Sequence, residues 1–200
     1  MKLPQSFYEG DNVVEISKNL IGKYLFTCFD GLITGGYIVE TEAYHGAIDK
    51  ASHAYGNRRT NRTEVMFQNG GIAYIYLCYG IHEMLNIVTG GPDTPHAILI
   101  RAIDPTIGLD VMLHRRNMAL VKPNITSGPG SAAKALGISR KINGMSLQSD
   151  TLWIEDRGLV FPDEQIAAVP RVGVDYAQED ALLPYRFYVK GNVYVSKPNR

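Results

Sequence analysis

The dipeptide Asp30-Gly31 separates two runs of strand-forming residues, 23–29 and 32–44, and constrains the fold more than any other feature of the chain. A tight hairpin turn needs positive φ at its centre, which Asp and Gly tolerate, so the two runs are expected to pair antiparallel. The pattern recurs. Residues 72–79 read as a strand ending at Gly80, 84–89 follow, Gly90-Gly91-Pro92-Asp93 turns the chain, and 96–104 carry the apolar stretch Ala97-Ile98-Leu99-Ile100. Strand character returns at 151–155, 169–174 and 185–195. Helices are fewer: Asp11 is expected to cap one over about 12–20, Pro105 to open a second reaching about 118, and a third to span 130–136 before Gly137. The 200 residues show no repeat and no linker-like stretch. The reading is one α+β domain over residues 1–200, a largely antiparallel, curved β-sheet flanked by helices with a protruding β-hairpin.

Hydrophobic residues at 45% and charged residues at 20% exclude a disordered tail. The longest unbroken apolar run, 72–79, is far shorter than a bilayer crossing requires, and Met1-Lys2-Leu3-Pro4-Gln5 lacks the apolar stretch of a secretory signal. A cytoplasmic protein is therefore expected, with Cys28 and Cys78 as buried, reduced thiols. The net charge is zero, yet it is segregated. Residues 1–49 hold three Lys/Arg against seven Asp/Glu, 101–142 hold seven against two, 143–185 hold two against eight, and the last fifteen hold four against none. Such blocks either cancel on folding or leave a basic face suited to a phosphate backbone.

Three segments carry candidate chemistry. In 38–44, Glu40 and Glu42 alternate with apolar residues, and a period of two places Ile38, Glu40, Glu42 and Tyr44 on one face. That is either a general base beside a ring-binding surface or a solvated edge with two surface glutamates. Tyr74, Tyr76 and Tyr79 fall within six residues, with Tyr44 and Tyr55 on the preceding segment. They suit core packing or stacking against a nucleobase. Residues 57–62 pack three arginines into a polar stretch, 45–64, that reads as a long loop or lid. The loop is either solvated or phosphate-facing. Familiar cofactor motifs fail. His82-Glu83 is followed by Asn86 where a second zinc ligand would stand, and Ser127-Gly128-Pro129-Gly130-Ser131 lacks the P-loop pattern. No metal and no cofactor are expected.

Taken together, the segments resemble the alkyladenine (3-methyladenine) DNA glycosylase family over about residues 22–196. The markers run in order: Val39-Glu40-Thr41-Glu42-Ala43-Tyr44, Ala51-Ser52-His53-Ala54, Met66-Phe67, Ala73-Tyr74-Ile75-Tyr76-Leu77-Cys78-Tyr79-Gly80, Leu85-Asn86-Ile87, Leu99-Ile100-Arg101-Ala102, Gly128-Pro129-Gly130, Arg171-Val172-Gly173-Val174 and Arg186-Phe187-Tyr188-Val189. The resemblance implies a monofunctional enzyme of base excision repair that acts on double-stranded DNA containing damaged purines, flips the base out and hydrolyses its N-glycosidic bond. It implies Glu42 as general base, with Arg101 positioning Glu42 and the attacking water. Tyr44, His53 and Tyr76 would sandwich the base, and Asn86 would exclude the 2-amino group of guanine. Tyr79 and Ile81 would wedge into the duplex, while Arg58, Thr60 and Arg62 would face phosphates. Ser131 stands where the family commonly has a lysine, with Lys134 three positions on.

A monomer is expected, and the resemblance leaves open the preference among 3-methyladenine, 7-methylguanine, hypoxanthine and ethenoadenine. Two other classes remain: a non-catalytic binder of damaged DNA, and a hydrolase of free nucleosides whose activity would be insensitive to salt.

Overall fold

The structure, a computed structural model, describes residues 1–197. Arg200, one of the basic residues of the last fifteen, lies outside the described residues. The first helix, α1 (Val13–Asn19), is capped by Asn12 rather than by Asp11: the Asn12 side chain accepts the Glu15 N–H at 3.1 Å. Its buried face, Val13 and Ile16, packs on the sheet.

Strands β1 (Tyr24–Phe29) and β2 (Leu32–Tyr44) form the expected hairpin, with Asp30 at φ 53° and Gly31 at φ 77°. Strands β3 (Ala73–Cys78) and β4 (His82–Thr89) form a second hairpin, and β5 (His96–Ile107) returns along β2. Helices α2 (Leu109–Arg116) and α3 (Pro129–Leu136) follow, then β6 (Leu152–Glu155), β7 (Ile166–Val169) and β8 (Arg186–Val189). The sheet order is β3-β4-β5-β2-β1-β6, every pairing is antiparallel, and β8 joins β2 while carrying β7. One core of aliphatic side chains lies between the sheet and the three helices, a small-domain α+β arrangement.

The structure departs from the sequence reading in three elements. Pro105 does not open a helix. It lies in β5 opposite Gly36, where β2 shifts register, a position that tolerates a residue without an N–H; α2 starts after Gly108, at φ 69°. Residues 170–174 are not strand: the chain bends there, with Gly173 at φ 74°, and Arg171 is buried in an ion pair with Asp49. The strand expected over 185–195 stops at Val189, before a turn at Gly191 with φ 75°.

Strand β2 positions the site. Its first half pairs with β1 and its second half, Glu40–Glu42, with β8, while β5 runs along the other side. Glu40 and Glu42 are therefore interior to the sheet and fully buried, which excludes the solvated-edge reading. The stretch 45–64 is no open lid. It is built of short 3-10 turns, cross-tied by Thr60 and Thr63, and Arg59 is held by Glu64 and Asp93 over the Phe67 ring.

Charge does not interleave along the whole chain. The acidic stretch 143–185 takes its partners at the other end, pairing Asp150 with Lys2, Asp163 with Lys18, Asp156 with Lys23 and Glu179 with Lys50. Basic residues of 101–142 are left outside those pairs. Among the described residues no helix is long and apolar enough to cross a membrane, and no group of three or more His, Cys, Asp or Glu could hold a metal ion. Cys28 and Cys78 are free thiols, half-buried rather than fully so.

Candidate active site

A cavity of about 1100 Å³ opens between the β3–β4 hairpin, residues 122–131 and the turn at 172–174. Glu42, Tyr44, His53, Arg62, Tyr76, Tyr79, Asn86 and Arg101 all line it, although they come from four separate stretches of sequence. Ser131 lines it as well and accepts a hydrogen bond from Arg116 at 3.1 Å, whereas Lys134 lies outside the lining. Arg58, Thr60 and Ile81 also lie outside it, on the surrounding surface.

Glu42 is the one carboxylate among the described lining residues. Its Oε1 accepts the Val172 N–H at 2.8 Å and faces Arg101 Nη1 at 3.2 Å, and its Oε2 accepts the Tyr44 hydroxyl at 2.9 Å. A carboxylate offers about four acceptor sites. Two are taken by hydrogen bonds, Arg101 adds an ion pair at Oε1, and Oε2 keeps an acceptor site free. Burial opposes the charge of Arg101, but Glu42 and Glu40 outweigh it and hold the guanidinium above its usual range. Burial and the Glu42 charge push the Tyr44 phenol up, so it stays protonated and donates.

The opposite wall is aromatic because β3 alternates: Tyr74 and Tyr76 share one face, their ring centroids 5.6 Å apart. His53 packs edge-on against Tyr76 at 4.7 Å, and its Nδ1 lies 2.9 Å from the Tyr74 hydroxyl. Its Nε2 lies 3.3 Å from Arg62 Nη2, and that guanidinium sits 4.8 Å over Tyr76. A guanidinium only donates, so the network assigns the His53 proton to Nδ1. Asn86, on β4, is anchored by donating to the carbonyls of Tyr74 and Met84. At the hairpin tip Tyr79 is 91% exposed and Ile81 73%, with Tyr79 held at φ 51°.

Sequence reasoning gave no role to Asp49, Arg171 or Ser196. Arg171 makes a bidentate pair with Asp49, at 2.5 and 2.9 Å, and donates to the Ala43 carbonyl, so it clamps the turn bearing Val172 to the end of β2. Its guanidinium also lies 4.9 Å from the Tyr44 ring. Arg171 stood in a sequence motif and the other two in none, and no local pattern links positions this far apart.

A family model of methylpurine-DNA glycosylase matches residues 6–193. This chain belongs to the methylpurine-DNA glycosylase family. Similar relatives span 98% of the chain and all of their own length: one from Bacillus cereus strain G9842 at 49% identity and one from Bacillus thuringiensis strain Al Hakam at 46%, each named "Putative 3-methyladenine DNA glycosylase". Membership makes the chain a hydrolase of N-glycosyl bonds.

Burial, with the charges of Arg62 and Arg58 added, lowers the His53 pKa to about 4. The unfolded chain then takes up this proton near pH 6.5 and the folded chain only near 4. The His53 contribution to stability is complete above pH 6.5 and declines as the pH falls toward 4. Urea unfolding at pH 5 should show the protein about 1–2 kcal/mol less stable on this account than at pH 7. The His53→Gln variant should show a correspondingly smaller loss, and an unchanged pH dependence would remove His53 as its source.

Proposed function

We propose that this glycosylase takes a damaged purine, turned out of double-stranded DNA, into the tyrosine-walled cavity and hydrolyses its N-glycosidic bond, leaving an abasic site as the first step of base excision repair. The observation that carries the reading is Glu42: a buried carboxylate on the cavity wall, fixed by two hydrogen bonds and an ion pair, with an acceptor site on Oε2 left for water. In the reaction the water oxygen bonds to the sugar C1′, its proton passes to Glu42 Oε2, and the C1′–N bond breaks with its electrons going to the base. A purine alkylated at N3 or N7 already carries positive charge and leaves neutral, so Glu42 suffices without a strong acid. Arg101 orients Glu42 through their 3.2 Å ion pair.

Tyr44, His53 and Tyr76 provide ring surfaces for the base, and Asn86, fixed on β4, limits what the cavity accepts. Turning the nucleotide out costs a few kcal/mol, least for a damaged base. Stacking returns roughly 1–3 kcal/mol per base, so the lesion decides the balance. The exposed Tyr79 and Ile81 would fill the gap in the duplex as apolar wedges do elsewhere, and Arg58 and Thr60 face outward where the strand would run.

The test is to incubate duplexes bearing 3-methyladenine, 7-methylguanine, hypoxanthine or ethenoadenine with the protein, then treat with hot alkali. Strand breaks at the lesion are expected only after alkali, and borohydride should trap no covalent adduct. Tight lesion binding with no abasic product would make the protein a binder. Turnover of free nucleosides, insensitive to salt, would replace the DNA substrate.

A further inference from the structure

We propose that Glu40 and Ser196 are positioning residues that aim Arg101 at Glu42, so that the segment 192–197 completes the catalytic site. The inference rests on the reading of Glu42 and Arg101 given above.

Glu40 is as deeply buried as Glu42 but lies outside the cavity lining, so it meets no substrate. Its Oε1 accepts Arg101 Nε at 2.8 Å, Arg186 Nε at 2.7 Å and Ser196 Oγ at 2.8 Å, and its Oε2 accepts the Ser196 N–H at 2.6 Å. Ser196 Oγ in turn accepts Arg101 Nη2 at 3.0 Å, and its carbonyl accepts Arg186 Nη2 at 2.9 Å. The result is a closed set of two carboxylates and two guanidiniums with balanced charge. Buried charges are tolerated when paired and hydrogen-bonded in this way.

The consequence for Arg101 follows from its planarity. Nε and Nη2 lie along one edge of the guanidinium, and Glu40 and Ser196 hold that edge at both ends. With the plane fixed, Nη1 is held at ion-pair distance from Glu42 Oε1, 3.2 Å. Release of the edge would let Arg101 rotate and share its charge differently between the glutamates. Ser196 belongs to no strand or helix. It is held by these bonds and by the Ser127 hydroxyl on the neighbouring Val195 carbonyl at 3.3 Å.

The experiment compares wild type, Ser196→Ala and Ser196→Thr by the single-turnover rate of base release and by the Kd for a lesion duplex. Ser196→Ala should slow base release about tenfold with Kd within twofold of wild type, and Ser196→Thr, which restores the hydroxyl, should recover most of the rate. A wild-type rate in Ser196→Ala, or a loss carried wholly by Kd, overturns the proposal. If the alanine variant folds poorly, Ser196→Cys, which keeps the volume with a weaker hydrogen bond, carries the same comparison. Absence of base release by wild type overturns the underlying reading as well, which separates that failure from this one.

Discussion

Glu42→Gln should abolish base release from lesion duplexes, slowing the single-turnover rate by about 10²–10⁴-fold, the range a general base supplies. Its Kd for the same duplex should stay within a few-fold of wild type. The substitution keeps shape and hydrogen-bonding reach but replaces one oxygen with an NH₂, so the group can no longer take a proton from water. The Tyr44 hydroxyl and the Val172 N–H donate to Glu42, and Arg101 pairs with its charge. An amide can satisfy them only on its oxygen side, so one donor loses its partner. Rate loss without binding loss is the signature of a group that acts in the transition state. A variant that turned over normally would remove Glu42 as the base and with it the mechanism.

Asp49→Ala should be the most damaging change for stability, lowering the unfolding free energy by about 3–5 kcal/mol in urea titration. The Arg171 side chain is 0% exposed and that of Asp49 1%, so deletion of the carboxylate strands a guanidinium away from water. The loss is a large part of the stability an ordinary domain has. Arg171→Met in the Asp49→Ala background should recover much of it, because an apolar side chain of similar length leaves no buried charge behind. Base release should remain impaired in the double variant, since the turn carrying the Val172 N–H loses its anchor. A single variant within 0.5 kcal/mol of wild type would show the pair to be dispensable.

The parts of the fold legible in the sequence are those written locally. Asp30-Gly31 and Gly80 declare their hairpins because positive φ is tolerated by a few residues. Gly137, at φ 73°, ends α3 for the same reason. Pro105 misled because a proline that can open a helix can equally sit at a register shift, and the shift is set by Gly35 and Gly36 on another strand. The alternating glutamates drew attention to β2, yet whether they met water or protein depended on β8, which pairs with them from nearly 150 residues away.

The same division governs the site. The aromatic wall is a period-two pattern on one strand, visible in Tyr74 and Tyr76. By contrast, Arg171, Arg186 and Ser196 reach Asp49 and Glu40 only through the tertiary fold. No spacing rule connects them.

The bent backbone at Tyr79 has a further consequence. A bulky side chain in the left-handed region carries a conformational penalty, and here that penalty is met when the polypeptide folds, long before any duplex arrives. The ring is thus presented at the tip already, and on the proposed function a duplex would meet it in that position. Under the proposed function, travel along intact helix would then demand no backbone change at the tip, and the cost of opening a weak base pair would fall on the nucleic acid.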